Sequence, residues 1–339
     1  MKYKLFGKSG LRVSEICLGT MTFGTEWHFG TDYENAKAVF EAYSSAGGNF
    51  LDTANRYTEG NSEKWLGEFI ASNRDHYVLA TKYSLHDQLG DLNFAGNHRK
   101  NLYRSVKESL KRLKTDYIDI LWLHAWDFTT PIEEIMNSLN DLVRNGTVHH
   151  IAVSDTPAWI VAAANTFARE RNLAQFCALQ VEYSLTQRTP ERDFFPMAEH
   201  FGIAVTPWGP LAGGALTGKY LNQINEGKRL KPDSVRLNER NSEIAKTVVA
   251  IAEKNGQKPA QVALRWCMNK NNQTFPIVGA KTAKQITESL QSCDVVLSTE
   301  DMHVLNEISK IELGFPHDFL SSDSVKTVLF AGEKNQLIL

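Results

Sequence analysis

A run of about 18 apolar residues, the length that crosses a bilayer, is missing from this 339-residue sequence, so no helical membrane span is expected. The first residues, MKYKLFGKSGLRVSEICLG, lack the continuous apolar core of a secretion signal. Cysteine is scarce. Cys17, Cys177, Cys267 and Cys293 stand far apart with no C-x-x-C pair, which argues against a disulfide framework and against a metal cluster. Neither charge predominates: 37 Lys and Arg nearly balance 39 Asp and Glu, for a net charge of −2. No dense basic run is backed by aromatics, so nucleic acid is not an expected partner. Low-complexity tracts, interdomain linkers and repeats with a period of roughly 20–50 residues are also absent. The expectation left is a soluble, cytoplasmic α/β protein, with 42% hydrophobic residues to build a core.

Two missing motifs narrow the fold and the chemistry. The first apolar run, EICLG, continues as LGTMTFGTEW and lacks the G-x-G-x-x-G turn that opens a doubly wound dinucleotide-binding sheet. The same segment holds no H-x-H pair, so a metal-dependent barrel hydrolase lacks its ligands there. His149 and His150 fall at the start of a candidate strand, the end where a barrel carries stability and not chemistry.

What is present is alternation. EICLG, FLDTA, YVLATKY, YIDILWLHA, IAVSD, CALQVEYS, IAVTPWGP and FPIVG read as buried strands separated by amphipathic stretches. ENAKAVFEAYSSAGG puts Ala36, Val39, Phe40 and Tyr43 on one helical face before a glycine stop. PIEEIMNSLNDLVRNG starts with Pro131 and two glutamates and ends at Gly146. Eight strand–helix units is the number that closes a barrel. The expected fold is therefore a single-domain (β/α)8 TIM barrel over residues 1–311, opened by an N-terminal hairpin (3–6 and 11–13). An extra helix in STEDMHVLNEISKI ends it, and a C-terminal tail, 312–339, packs on the barrel or makes a subunit contact. The polar stretch 221–241 reads as a long loop at the barrel mouth.

Barrel enzymes take their catalytic side chains from the C-terminal ends of the strands. Here those ends carry Asp52, Lys82, His124, Ser154, Asp155, Gln180 and Trp208, with Tyr57 on the loop after the second strand. Each alone has a bland explanation: Asp52 as a turn cap, Lys82 as a solvated strand end, His124 as a core histidine and Tyr57 as a loop tyrosine. Together they suit proton donation to a carbonyl oxygen. A tyrosine with a pKa near 10 is protonated at neutral pH but a sluggish acid, and a lysine cation beside it pulls that pKa down. A carboxylate keeps the lysine charged, and a histidine orients the carbonyl. These roles fall to Tyr57, Lys82, Asp52 and His124 in turn.

The segments DTANRYTEGNSEKWLG, VLATK, YIDILWLHAWD and QVEYSL resemble the aldo-keto reductase family, over roughly residues 1–311. KYKLFGKSGLRVSEICLGTMTFG and PWGPLAGGALTGKY resemble its bacterial and potassium-channel β-subunit-like branches. The resemblance implies hydride transfer from extended NADPH to an aldehyde or ketone without a metal, with NADH as the other nicotinamide donor. It implies that Ser154, Asp155 and Gln180 contact the carboxamide and that Trp208 stacks on the ring. Gly209, Pro210, Leu211, Gly213 and Lys219 would line the pyrophosphate, and Gly279, Lys281, Gln285, Glu288 and Ser289 the adenosine end. Lys281 or Lys284 would meet a 2′-phosphate, which favours NADPH. Three positions depart from the family pattern. Asp155 replaces the usual Asn and cannot donate to the carboxamide oxygen when ionised, Ser289 stands where Asn is common, and Gly209 where Ser is common.

Trp27, Phe94 and Trp126, with Tyr57, are expected to line an aromatic substrate pocket; Phe23 reads as loop packing. Lys228, Arg229, Lys231 and Arg236 either fold over the cofactor phosphates or lie on a plain solvated loop. The partner expected is a small-molecule carbonyl, and a homo-oligomer is compatible with the sequence. A rival keeps the fold without the turnover, as a slow nucleotide-binding regulatory or redox-sensing subunit.

Overall fold

A computed structural model describes residues 1–221 and 229–337, so Lys228 lies outside the described residues. The hairpin pairs β1 (Tyr3–Leu5) with β2 (Arg12–Ser14) in antiparallel register, Lys4 opposite Val13. Eight strands follow in one parallel sheet: β3 (Cys17–Gly19), β4 (Phe50–Asp52), β5 (Val78–Tyr83), β6 (Ile118–Leu123), β7 (Val148–Ser154), β8 (Phe176–Glu182), β9 (Ala204–Trp208) and β10 (Ile277–Val278). From β4 to β9 each strand pairs with its predecessor, and β10 pairs with β3. A parallel bridge between Val205 and Thr274 joins the run into β10 to β9 and closes the barrel. This is the expected (β/α)8 architecture. It was readable because β5 and β6 are buried at every position, which produces continuous apolar runs.

The helices form the outer layer: α1 (Tyr33–Ser45), α2 (Asn61–Ile70), α3 (Arg99–Leu113), α4 (Ile132–Arg144), α5 (Ala158–Glu170), α6 (Pro190–Phe201), α7 (Glu239–Lys254), α8 (Pro259–Met268), α9 (Ala283–Leu290) and α10 (Thr299–Ile308). In α1 the Asp32 carboxylate accepts from the Asn35 N–H at 2.9 Å, and Ala36, Val39, Phe40 and Tyr43 face inward. Two helices, α7 and α8, stand between β9 and β10 where one was expected. Gly67 lets α2 meet α3 closely, since a Cβ there would lie 2.6 Å from the Leu113 carbonyl oxygen. Beyond α10, the tail carries the short helices α11 (His317–Ser321) and α12 (Asp323–Leu329), both largely exposed. His317 Nε2 lies 3.4 Å from Asp193 of α6.

The strand side chains that point inward fill the barrel in layers. Phe50, Ala80, Trp122, Ala152, Ala178 and Ala204 form one buried cluster, with the bulk of Trp122 set against alanines on the other strands. Phe6, from the hairpin, joins the same cluster and packs edge-on against Phe50 at 5.2 Å and Phe275 at 5.3 Å. The hairpin thus plugs the barrel at the end opposite the strand C-termini. Phe6→Ala should cost about 3–5 kcal/mol in urea unfolding. A loss below about 1 kcal/mol would mean that the plug collapses onto the space or contributes little.

Candidate active site

Side chains two residues apart on a strand share a face. Two residues beyond the inward Phe50, Ala80, Trp122, Ala152 and Ala178 stand Asp52, Lys82, His124, Ser154 and Gln180, so the layer above the apolar plug is polar. Lys82 has no solvent exposure and uses all three ammonium donors. It donates to Asp52 Oδ2 at 2.5 Å, the Thr53 carbonyl at 2.8 Å and Tyr57 Oη at 3.0 Å. Asp52 also accepts from Gln180 Nε2 at 3.1 Å. Tyr57 sits at the first residue of a 3₁₀ turn, Tyr57–Gly60, and its ring meets His124 edge-on at 5.8 Å.

Burial pushes the Lys82 ammonium toward neutrality, but Asp52 and Tyr57 outweigh it and its pKa ends above the ordinary value. Burial raises the Asp52 carboxyl, while Lys82 and Gln180 pull against that rise. Tyr57 differs from the expectation. Burial lifts its pKa above that of free tyrosine, and the opposing pull of Lys82 does not overcome it. His124 is held well below its ordinary value by burial, with the Lys82 charge adding to the effect. It is a neutral imidazole at physiological pH, and its buried Nδ1 has no partner.

On the cofactor side, Ser154 is buried and its Oγ lacks a hydrogen-bond partner, as a ligand contact point would. Asp155 takes a left-handed backbone, φ +40°, and its Oδ1 accepts from the Trp208 indole Nε1 at 3.0 Å. Gln180 is turned toward Asp52. After Trp208 the chain bends at Gly209 (φ +65°) and Gly213 (φ +68°), conformations that bring Pro210 and Leu211 round the rim toward the exposed Lys219. Gly279 follows β10, and Lys281 donates its backbone N–H to Gln285 Oε1 at 2.8 Å, which engages Gln285 in capping α9. Glu288 lies 4.0 Å from Lys284, and Ser289 is on the buried side of α9. Arg236 is locked to Glu182 Oε1, at 2.7 Å from Nη2, and Arg229 lies over the Phe29 ring at 4.9 Å. Arg236 is thus anchored, and Lys231 is exposed.

The substrate-side residues make different contacts. Trp27 stands edge-on to Tyr57 at 6.2 Å, and the Trp126 N–H reaches the Asp155 carbonyl at 3.5 Å. Phe94 lies under the Arg104 guanidinium at 4.2 Å and lines a cleft with Asn55 and Arg56. Phe23 is fully buried, as loop packing. Two features escaped sequence reasoning. The Thr53 carbonyl that holds Lys82 is a backbone group and leaves no residue signal. Glu182, two residues beyond Gln180 on the same inward face, could have been found from that spacing.

The sequence model described as the Aldo/keto reductase family matches residues 15–310. The chain is 39% identical to norsolorinic acid reductase stcV of Emericella nidulans, over 92% of this chain and 82% of the relative. It is 39% identical to an aryl-alcohol dehydrogenase [NADP(+)] of Phanerodontia chrysosporium, over 91% and 86%. It is 35% identical to the aldo-keto reductase ausK of Aspergillus calidoustus, over 96% and 86%. These relatives are fungal and lend no support to the bacterial and channel-β-subunit-like branch.

Removing the cation tests the electrostatic core. Lys82→Met should destabilise the fold by about 3–5 kcal/mol near neutral pH, because Asp52 is left buried without its counter-charge. The loss should shrink as pH falls and Asp52 takes up a proton, and adding Asp52→Asn should recover part of it. An unfolding curve that matches the parent would contradict the buried pair.

Proposed function

The chain belongs to the aldo/keto reductase family, and on that premise we propose that it reduces aldehydes or ketones to alcohols with NADPH as donor. Membership and the named reductases make it an oxidoreductase that uses a nicotinamide cofactor. When bound, NADPH supplies hydride to the carbonyl carbon. What this chain supplies is the proton and the geometry.

One observation carries the reading. Tyr57 Oη accepts a bond from Lys82 Nζ at 3.0 Å, so the phenol hydrogen is free to point at a carbonyl oxygen in the mouth. As charge develops on that oxygen, Tyr57 gives up its proton and Lys82 stabilises the phenolate left behind. Asp52 holds Lys82 in place, and neutral His124 donates a ring N–H to the same oxygen. The ready state of the acid is secured by burial, since Tyr57 stays protonated throughout the neutral range.

Ser154 and Gln180 would hold the carboxamide edge, with Trp208 on the nicotinamide ring and Asp155 beside it. Gly209, Pro210, Leu211, Gly213 and Lys219 would take the pyrophosphate. Gly279, Lys281, Gln285, Glu288 and Ser289 would face the adenosine, with Lys281 and Lys284 favouring the 2′-phosphate of NADPH. Trp27, Phe94 and Trp126 would line the carbonyl pocket. Residues 1–311 form the catalytic unit in this reading, and 312–339 an appended tail.

The test is NADPH consumption with an activated aromatic aldehyde, run in parallel with NADH. Turnover favouring NADPH is expected. Tyr57→Phe should lower kcat by about 10²–10⁴ while NADPH still binds. The parent rate should stay level through neutral pH, with no break at the ordinary histidine pKa, because His124 is already neutral. It should fall on the alkaline side, where the raised Tyr57 pKa is finally passed. Equal rates in the parent and Tyr57→Phe would remove Tyr57 from the mechanism.

A further inference from the structure

The Asp155–Trp208 contact spans the barrel mouth. Asp155 follows β7, Trp208 ends β9, and β8 lies between them. The bond is well formed, 3.0 Å from the indole Nε1–H to Oδ1. Asp155 is pinned by its backbone on both sides: its N–H donates to the Gln180 carbonyl at 3.3 Å, and its carbonyl accepts from the Trp126 N–H at 3.5 Å. Its left-handed φ of +40° is a conformation that Asp tolerates better than most residues. Trp208 is otherwise held by its own backbone, with its carbonyl accepting from Tyr183 N–H at 3.3 Å. Arg236 stands over the ring, 6.0 Å from its centroid. Among the described residues, the indole N–H has this one acceptor.

We propose that Asp155 is a positioning residue that works through Trp208, fixing the rotation of the indole so that it presents a flat face to the nicotinamide. This rests on the reading of Trp208 as the stacking residue. It is also compatible with an aspartate where the family pattern has asparagine: the required property is an acceptor for the indole N–H, and either side chain supplies one. The carboxamide is then left mainly to Ser154, whose buried Oγ is unpartnered.

Two readouts test this on the full-length protein. In the nucleotide-free protein, the Trp208 indole N–H resonance is assigned by its loss in Trp208→Phe. Asp155→Ala should shift it and speed its exchange with solvent, whereas Asp155→Asn, which keeps an acceptor oxygen, should leave it close to the parent. For NADPH affinity, followed by nicotinamide fluorescence, Asp155→Ala should weaken binding by about fivefold to tenfold, the value of one hydrogen bond. Asp155→Asn should restore most of that affinity. In a Trp208→Phe background, Asp155→Ala should cost nothing further. Equal loss from Asp155→Ala with and without the indole would overturn the proposal and assign Asp155 to the nucleotide directly. An unchanged indole resonance in Asp155→Ala would overturn it as well. If the parent binds neither NADPH nor NADH, the cofactor reading itself fails, a result separable from the other two.

Discussion

An ammonium group with no solvent exposure survives in a protein only if each of its donors is used and a counter-charge sits against it. Lys82 meets both conditions, and meeting them organises the mouth of the barrel. Its three bonds reach the last residue of β4, the backbone just beyond it and the tyrosine of the following turn. The pairing of β4 with β5 makes these bonds available, with Asp52 opposite Ala80 and Lys82 one inward step further on. A slip of one residue would turn Lys82 outward and leave Asp52 buried alone. Fold and chemistry therefore impose the same register.

The two ends of the barrel divide the work. Below, Phe6, Phe50, Phe275 and Trp122 pack into an apolar plug whose buried polar atom is the Trp122 indole nitrogen. Above, the inward positions turn polar and the strands end, so charged side chains sit in a low-dielectric cup open on one side. That setting determines the protonation states. Burial outweighs the nearby lysine in keeping Tyr57 an intact acid, and it keeps His124 neutral and able to donate. The lysine matters less for the resting pKa than for the charge that appears when the proton leaves.

The fold was legible because parallel strands buried on both faces produce unbroken Val, Ile and Leu runs, and every expected strand is found. The polar layer was legible for a geometric reason: FLD, ATK, LWLH, AVS and ALQ each place a polar residue two positions after an inward apolar one. What stayed hidden depends on three-dimensional neighbours. The balance at Tyr57 required knowing how deeply it is buried. The engagement of Gln180 with Asp52 joins residues 128 apart in sequence. The contact of Phe94 with the Arg104 guanidinium is likewise invisible in the sequence. Asp155 reads as a nicotinamide ligand by position, and only the structure reveals its bond to Trp208.

The most direct test follows the transferred hydride. In a single turnover, NADPH carrying deuterium at the transferable C4 position is mixed with enzyme and an aromatic aldehyde, and the alcohol is analysed by mass spectrometry. One deuterium is expected on the carbinol carbon with the parent protein and almost none with Tyr57→Phe over the same interval, although the nucleotide remains bound. Equal labelling by both proteins, or an unlabelled alcohol from the parent, would contradict this mechanism.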